Sequence, residues 1–152
     1  NKDRSRKNLI LYSPKRGLEI SMKLMKLIPD FEWIPLENMS QNEMISLMRE
    51  SKLFIDFGNH PGKDRIPREA AMMGCVVVTG MRGSAGNDID INIPSLYKFD
   101  DSKIDASQIK QVITDIMINY DIHVERMTAY RNKIASEKTQ FRIDVDKVFS
   151  AF

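Results

Sequence analysis

Two cations stand side by side in Ser13-Pro14-Lys15-Arg16-Gly17, after an apolar run and just before a helical pattern. A helix N-terminus offers unpaired N–H groups and the positive end of its dipole, so anions collect there. Lysine and arginine at that end work against the helix's own stability. A bound phosphate would resolve the conflict. The plainer alternative is a pair of solvated side chains.

A second concentration of chemistry runs from Phe57 to Gly74, F-G-N-H-P-G-K-D-R-I-P-R-E-A-A-M-M-G. A strand-to-helix loop needs only a few residues. This one is longer and carries His60, Lys63, Asp64 and Arg65, with Arg68 and Glu69 opening the next helix. A carboxylate in a first helical turn complements the dipole, which alone accounts for a glutamate there. A loop histidine held by local hydrogen bonds is the ordinary reading of His60.

A third stretch is Gly80-Met81-Arg82-Gly83-Ser84-Ala85-Gly86-Asn87. Its glycines let backbone N–H groups approach oxygens of a ligand closely, so Gly83, Ser84, Ala85, Gly86 and Asn87 are candidates for ligand contact. A plain long turn is the alternative. Asp88-Ile89-Asp90 follows and spells a short metal-binding signature, but three residues out of context are weak, and we read them as solvated turn acids. No histidine and cysteine cluster has metal-ligand spacing. The expectation is therefore no metal and no cofactor, with no side chain assigned as catalytic.

These loops need elements to hold them. Asn8–Ser13 reads as a strand, and Arg16–Ile28 as a helix with Leu18, Met22, Met25 and Ile28 on one face. Glu32–Leu36 is a second strand. Ser40 and Glu43 spell a capping box, with Met39 and Met44 placed for a hydrophobic staple, and Met44, Leu47 and Met48 form that helix's apolar stripe. Lys52–Phe57 is a third strand. Pro67 suits the first position of a helix that stops at Gly74. Cys75–Thr79, short and β-branched, reads as an inner strand, and Ser95–Phe99 as a last short one. The remainder is helical. Ile109, Val112, Ile113, Ile116 and Met117 share one face. A further helix spans Ile122–Lys138, and a final one carries Phe141, Val145, Val148 and Phe152.

Alternating strands and helices predict an α/β fold, a Rossmann-like doubly wound parallel sheet with helices on both faces and a helical C-terminal tail. Ligands bind such sheets beyond the carboxyl ends of the strands, where all three loops lie.

Length and composition set the frame. At 152 residues the chain is one domain by size. A formal charge of +2 argues against a nucleic-acid-binding domain. Residues 1–7 hold four cations against one acid and read as a solvated linker before a domain over 8–152. Cys75, the lone cysteine, excludes an internal disulfide and fits a reducing, cytoplasmic setting. No apolar run is long enough to span a membrane. A peripheral attachment of a longer enzyme stays open, since a chain opening on Asn1 reads as part of something longer. The ten methionines fall mostly on helix faces and read as core filler.

The run Pro67-Arg68-Glu69-Ala70-Ala71-Met72-Met73-Gly74-Cys75-Val76-Val77-Val78-Thr79-Gly80 resembles the donor-site segment of GT-B glycosyltransferases of the retaining, glycogen-synthase-like type. Those carry Pro-x-x-Glu-Ala, a small-residue helix, Gly, and a buried strand ending in a glycine-rich turn. Arg16-Gly17 is similar to their Lys-Gly, and Leu47–Phe57 to the helix and strand before their donor loop. The resemblance implies a nucleotide-sugar-binding C-terminal domain whose N-terminal, acceptor-binding domain is missing. It implies that Glu69 grips the donor ribose, although one fewer residue separates it from Pro67. Lys15 or Arg16, with Lys63 and Arg65, would meet the diphosphate. Pro61 stands where the family has its other glutamate, so His60, Asp64 or Arg65 would take over beside the sugar.

The implied function is transfer of a sugar from a nucleoside-diphosphate sugar, in polysaccharide or glycoconjugate biosynthesis, with the fragment inactive alone. Two alternatives stand beside it. One is a nucleotide-sugar epimerase of the same architecture. The other is a non-catalytic nucleotide-binding or regulatory α/β module, against which Lys15 and Arg16 count, because receiver-like domains place acids after the first strand.

Overall fold

The computed structural model describes residues 5–58, 65–81, 86 and 91–150. Four strands, β1 (Lys7–Tyr12), β2 (Glu32–Pro35), β3 (Ser51–Asp56) and β4 (Val76–Thr79), form one sheet in the order β2-β1-β3-β4. Every pairing is parallel, as the alternating pattern predicts. The helices are α1 (Leu18–Leu27), α2 (Gln41–Glu50), α3 (Arg65–Met72), α4 (Ala106–Ile118), α5 (Tyr120–Glu125) and α6 (Thr128–Ser150). α1 meets α4, while α2 meets α3 and α3 meets α6. The chain runs from β1 outward to β2, then back across to β3 and β4. Right-handed crossovers therefore put α1 on one face and α2 and α3 on the other.

The core is aliphatic. Ile10, Leu11, Leu53, Phe54, Ile55, Val76, Val77 and Val78 are fully buried in the sheet, and Ile109, Ile113 and Ile116 of α4 cover it. The capping box at Ser40 forms as its spelling predicts. Its hydroxyl accepts from the Glu43 N–H at 3.2 Å, and the Glu43 carboxylate accepts from the Ser40 N–H at 3.1 Å. Met39 and Met44 are both half-buried against the core.

Several expectations need correction. α1 buries Ile20, Ser21, Leu24 and the adjoining Ile28, while Leu18 and Met22 are 41% and 49% exposed. The helix carries two apolar stripes. Its start at the left-handed Gly17, pressed against Phe57, decides which one faces the sheet. β4 is not an inner strand among the described residues. It ends the sheet, and beyond it lies a single parallel bridge from Thr79 to Lys98. Contacts from α3, α5 and the 3-10 turn Ser95–Tyr97 bury it nonetheless, so its β-branched run looks central. The strand expected at Ser95–Phe99 is that turn plus the one bridge. The N–H groups of Tyr97 and Lys98 bond back to Pro94 and Ser95, leaving too little backbone for a ladder.

α3 begins at Arg65, so Pro67 is its third residue. Proline is tolerated there because first-turn N–H groups have no helical acceptor. Its end is as expected. Gly74 is left-handed at φ 96°, its N–H bonds to Ala71, and the Cys75 N–H bonds to Ala70, which is a Schellman closure. The helix break expected near Lys138 lies instead at Arg126–Met127. Arg131 donates to the Val124 carbonyl and the Thr128 hydroxyl there, and α6 then runs unbroken for 23 residues.

Arg6 and Lys7 are not solvated linker. β1 starts at Lys7, and the Arg6 guanidinium donates to the carbonyls of Met48 and Ser51 at 2.8 Å each and to that of Met73. Its cation also lies 5.6 Å from the Tyr120 ring centroid. Arg6 thus closes the ends of α2 and α3 at the N-terminal edge of the sheet. Beside it the Cys75 thiol faces Met48 O at 3.2 Å, and burial pushes its pKa up to about 12.

Candidate functional site at the carboxyl edge of the sheet

Successive helices leave β1 and β3, adjacent strands, for opposite faces. That divergence is the topological switch point, where open α/β sheets hold ligands. The turn after β1 and the turn after β3 meet there without a gap. A Cβ on Gly17 would stand 2.6 Å from the Phe57 carbonyl carbon, and one on Gly58 would overlap the Arg16 side chain. Glycine at both places lets the two turns touch.

Arg16 lies in this seam. Its Nη2 is 3.4 Å from Oδ2 of Asp56, whose side chain is fully buried at the end of β3. The other carboxylate oxygen of Asp56 accepts from the Gly58 N–H at 2.9 Å. A buried carboxylate is tolerable only when paired and hydrogen-bonded, so part of the Arg16 charge serves the fold. Lys15 is exposed beside it. α1 opens without a side-chain cap, because Gly17 occupies the N-cap position. Sequence reasoning missed Asp56, which sits inside an apolar strand and reveals itself only through Arg16.

The second cluster stands at the start of α3. Arg65 Nε donates to Oε1 of Glu69 at 2.7 Å, one helical turn apart. Gln41, the first residue of α2, donates to the same oxygen at 3.4 Å. No described residue donates to Oε2 of Glu69, and the side chain keeps 25% of its surface in solvent. The carboxylate is thus oriented by two donors and presents one open acceptor. Arg68 pairs with Glu137 of α6 at 2.8 Å, joining α3 to the tail, and lines the same groove as Arg65 and Glu69. A groove of about 420 Å³ between α3 and α6 is lined by Arg65, Glu69, Met72 and Lys138. A wider groove, about 710 Å³, lies at the opposite edge of the sheet beside Arg6, Lys52 and Tyr120. Its cations, Arg6 and Lys52, are already held by carbonyls and Asn8.

The structure thus joins Arg65 to Glu69 and Arg16 to the turn after β3. His60, Lys63, Gly83, Ser84, Ala85 and Asn87 lie outside the described residues, as do Pro61, Asp64, Asp88 and Asp90. Gly86 is described, and a Cβ there would stand 2.7 Å from the Met81 carbonyl oxygen. Among the described residues no three histidine, cysteine or acidic side chains converge to hold a metal ion. None of the described helices is long and apolar enough to cross a membrane.

Compared with known proteins, the chain matches no family model and no curated protein.

Proposed function

We propose that this chain is the donor-binding part of a glycosyltransferase, holding a nucleoside-diphosphate sugar at the carboxyl edge of its sheet. The observation that carries the reading is the Glu69 carboxylate, oriented by Arg65 and Gln41 with one oxygen open to a ligand. An ionised acceptor of this kind suits the paired hydroxyls of a ribose. Lys15 and the uncapped N-terminus of α1 offer positive potential to the diphosphate, with Arg65 and Lys63 as further cations. In sugar transfer, negative charge builds on the departing diphosphate. Fixed cations and helix N-termini stabilise it without moving. The acceptor would come from another domain, so the chain alone is expected to bind nucleotide weakly and to turn over nothing.

Titration with uridine or guanosine diphosphate tests this. Saturable binding that weakens with salt is expected, with no requirement for magnesium. Glu69→Gln should leave the fold intact and weaken binding by roughly 1.5–3 kcal/mol. The 2′,3′-dideoxy nucleotide should bind the wild type poorly and lose little more in the variant. Equal losses for both nucleotides in the variant would make Glu69 a structural residue only.

One observation favours the regulatory α/β module as a second reading. The order β2-β1-β3-β4 is also that of flavodoxin-type domains. Failure of either nucleotide to bind would favour it.

A further inference from the structure

We infer that Gln41 is the second half of the hydroxyl-reading site at Glu69, and that the pair selects a ribonucleotide over its deoxy counterparts. The inference rests on the reading of Glu69 as a ribose ligand and adds a residue from a different element. Gln41 opens α2, and α2 leaves the carboxyl end of β2. It therefore reaches the site from the loop after β2, 28 residues before Glu69 in the chain.

The amide orientation follows from its neighbour. An ionised carboxylate only accepts, so the atom of Gln41 3.4 Å from Glu69 Oε1 must be the nitrogen. The carbonyl oxygen of the same amide accepts from no described residue, and neither does Glu69 Oε2. The hydrogen-bonded pair thus keeps two acceptors open, and a vicinal diol brings two donors. A deoxyribose brings only one.

The structural alternatives for Gln41 are occupied by other residues. Capping of α2 is done by Ser40 and Glu43. Gln41 is exposed and contributes nothing to the core. Arg65 already supplies the countercharge to Glu69, with its Nε 2.7 Å from Oε1.

The experiment is a set of titrations with the better-bound of uridine and guanosine diphosphate and its 2′-deoxy and 3′-deoxy analogues. Wild type, Gln41→Ala and Glu69→Gln are compared, with thermal melting of each. Wild type should prefer the ribonucleotide over each analogue. Gln41→Ala should melt as wild type does, lose about 3–10-fold in affinity for the ribonucleotide, and lose its preference over one analogue while keeping it over the other. Gln41→Ala with both preferences intact overturns the inference and leaves Glu69 as the whole hydroxyl site. Wild type binding no nucleotide overturns the underlying reading, and this inference with it.

Discussion

Gly17 shows how much of the site depends on a single missing methyl group. Its φ of 63° is left-handed, and a side chain there would press on the Phe57 backbone. Left-handed backbone alone costs an L-residue about 1–2 kcal/mol, and the clash adds to it. Gly17→Ala should therefore destabilise the protein by at least ~2 kcal/mol in urea unfolding, with the two turns of the switch point forced apart. A loss under about 0.5 kcal/mol would mean the turns are not in contact. The sequence marks Gly17 as the end of a basic turn and as half of the Arg16-Gly17 pair. That it touches Phe57 is a long-range fact, and no local pattern encodes it. Asp56 is the same case, since only the fold brings it to Arg16. Glu69 was legible because its Pro-x-Glu-Ala setting is local, whereas Gln41 reads as an ordinary first-turn residue until α2 and α3 are placed together.

At the scale of elements, the capping box and the apolar face of α4 were legible because a helix repeats its pattern within a few residues. The segment after the Gly80 loop was not, because a side-chain chain fixes it. The Tyr97 hydroxyl and His123 Nδ1 are 2.6 Å apart, and His123 Nε2 is 2.6 Å from Asp115 Oδ2. Burial holds the Tyr97 phenol above its ordinary value, so it keeps its proton. Hydrogen bonds from Asn119 and then His123 hold the Asp115 carboxyl below its ordinary 3.8. An ionised Asp115 only accepts, so Nε2 donates to it, and in the neutral imidazole Nδ1 then accepts from the Tyr97 hydroxyl. His123 is 2% exposed, and Tyr97→Phe would leave its Nδ1 with no donor in the core. We expect that substitution to cost about 1–3 kcal/mol, read as a lower urea midpoint at unchanged slope. The contribution from Asp115 has a defined acid limit. Its folded value is depressed, so it is complete above pH ~3.8 and fades as pH falls through the lower folded value.

For the whole molecule, the parallel sheet with crossing helices was readable from strand and helix alternation, and the position of the breaks in the helical tail was not. Thr139 is a weak helix former but not a breaker, and Gln140 is a good one, so α6 passes through them. Among the described side chains, burial along α6 is confined to its first part. Tyr130 and Ile134 are buried and Glu137 pairs with Arg68, while no described residue from Lys138 to Ser150 is buried and Ile143 and Val148 are exposed. An isolated helix of that length is marginal in water, so this half takes its order from the half that packs and returns little to the fold. Ending the chain after Lys138 should therefore shift the melting temperature by no more than a few degrees and leave nucleotide titration unchanged. Ending it after Met127 removes Tyr130, Ile134 and the Arg68–Glu137 pair together, and should destabilise far more, because two large buried side chains go with their cavities. Equal losses from the two truncations would mean that the outer half of α6 is covered in solution, and its exposed isoleucine and valine would be the residues to probe for what covers them.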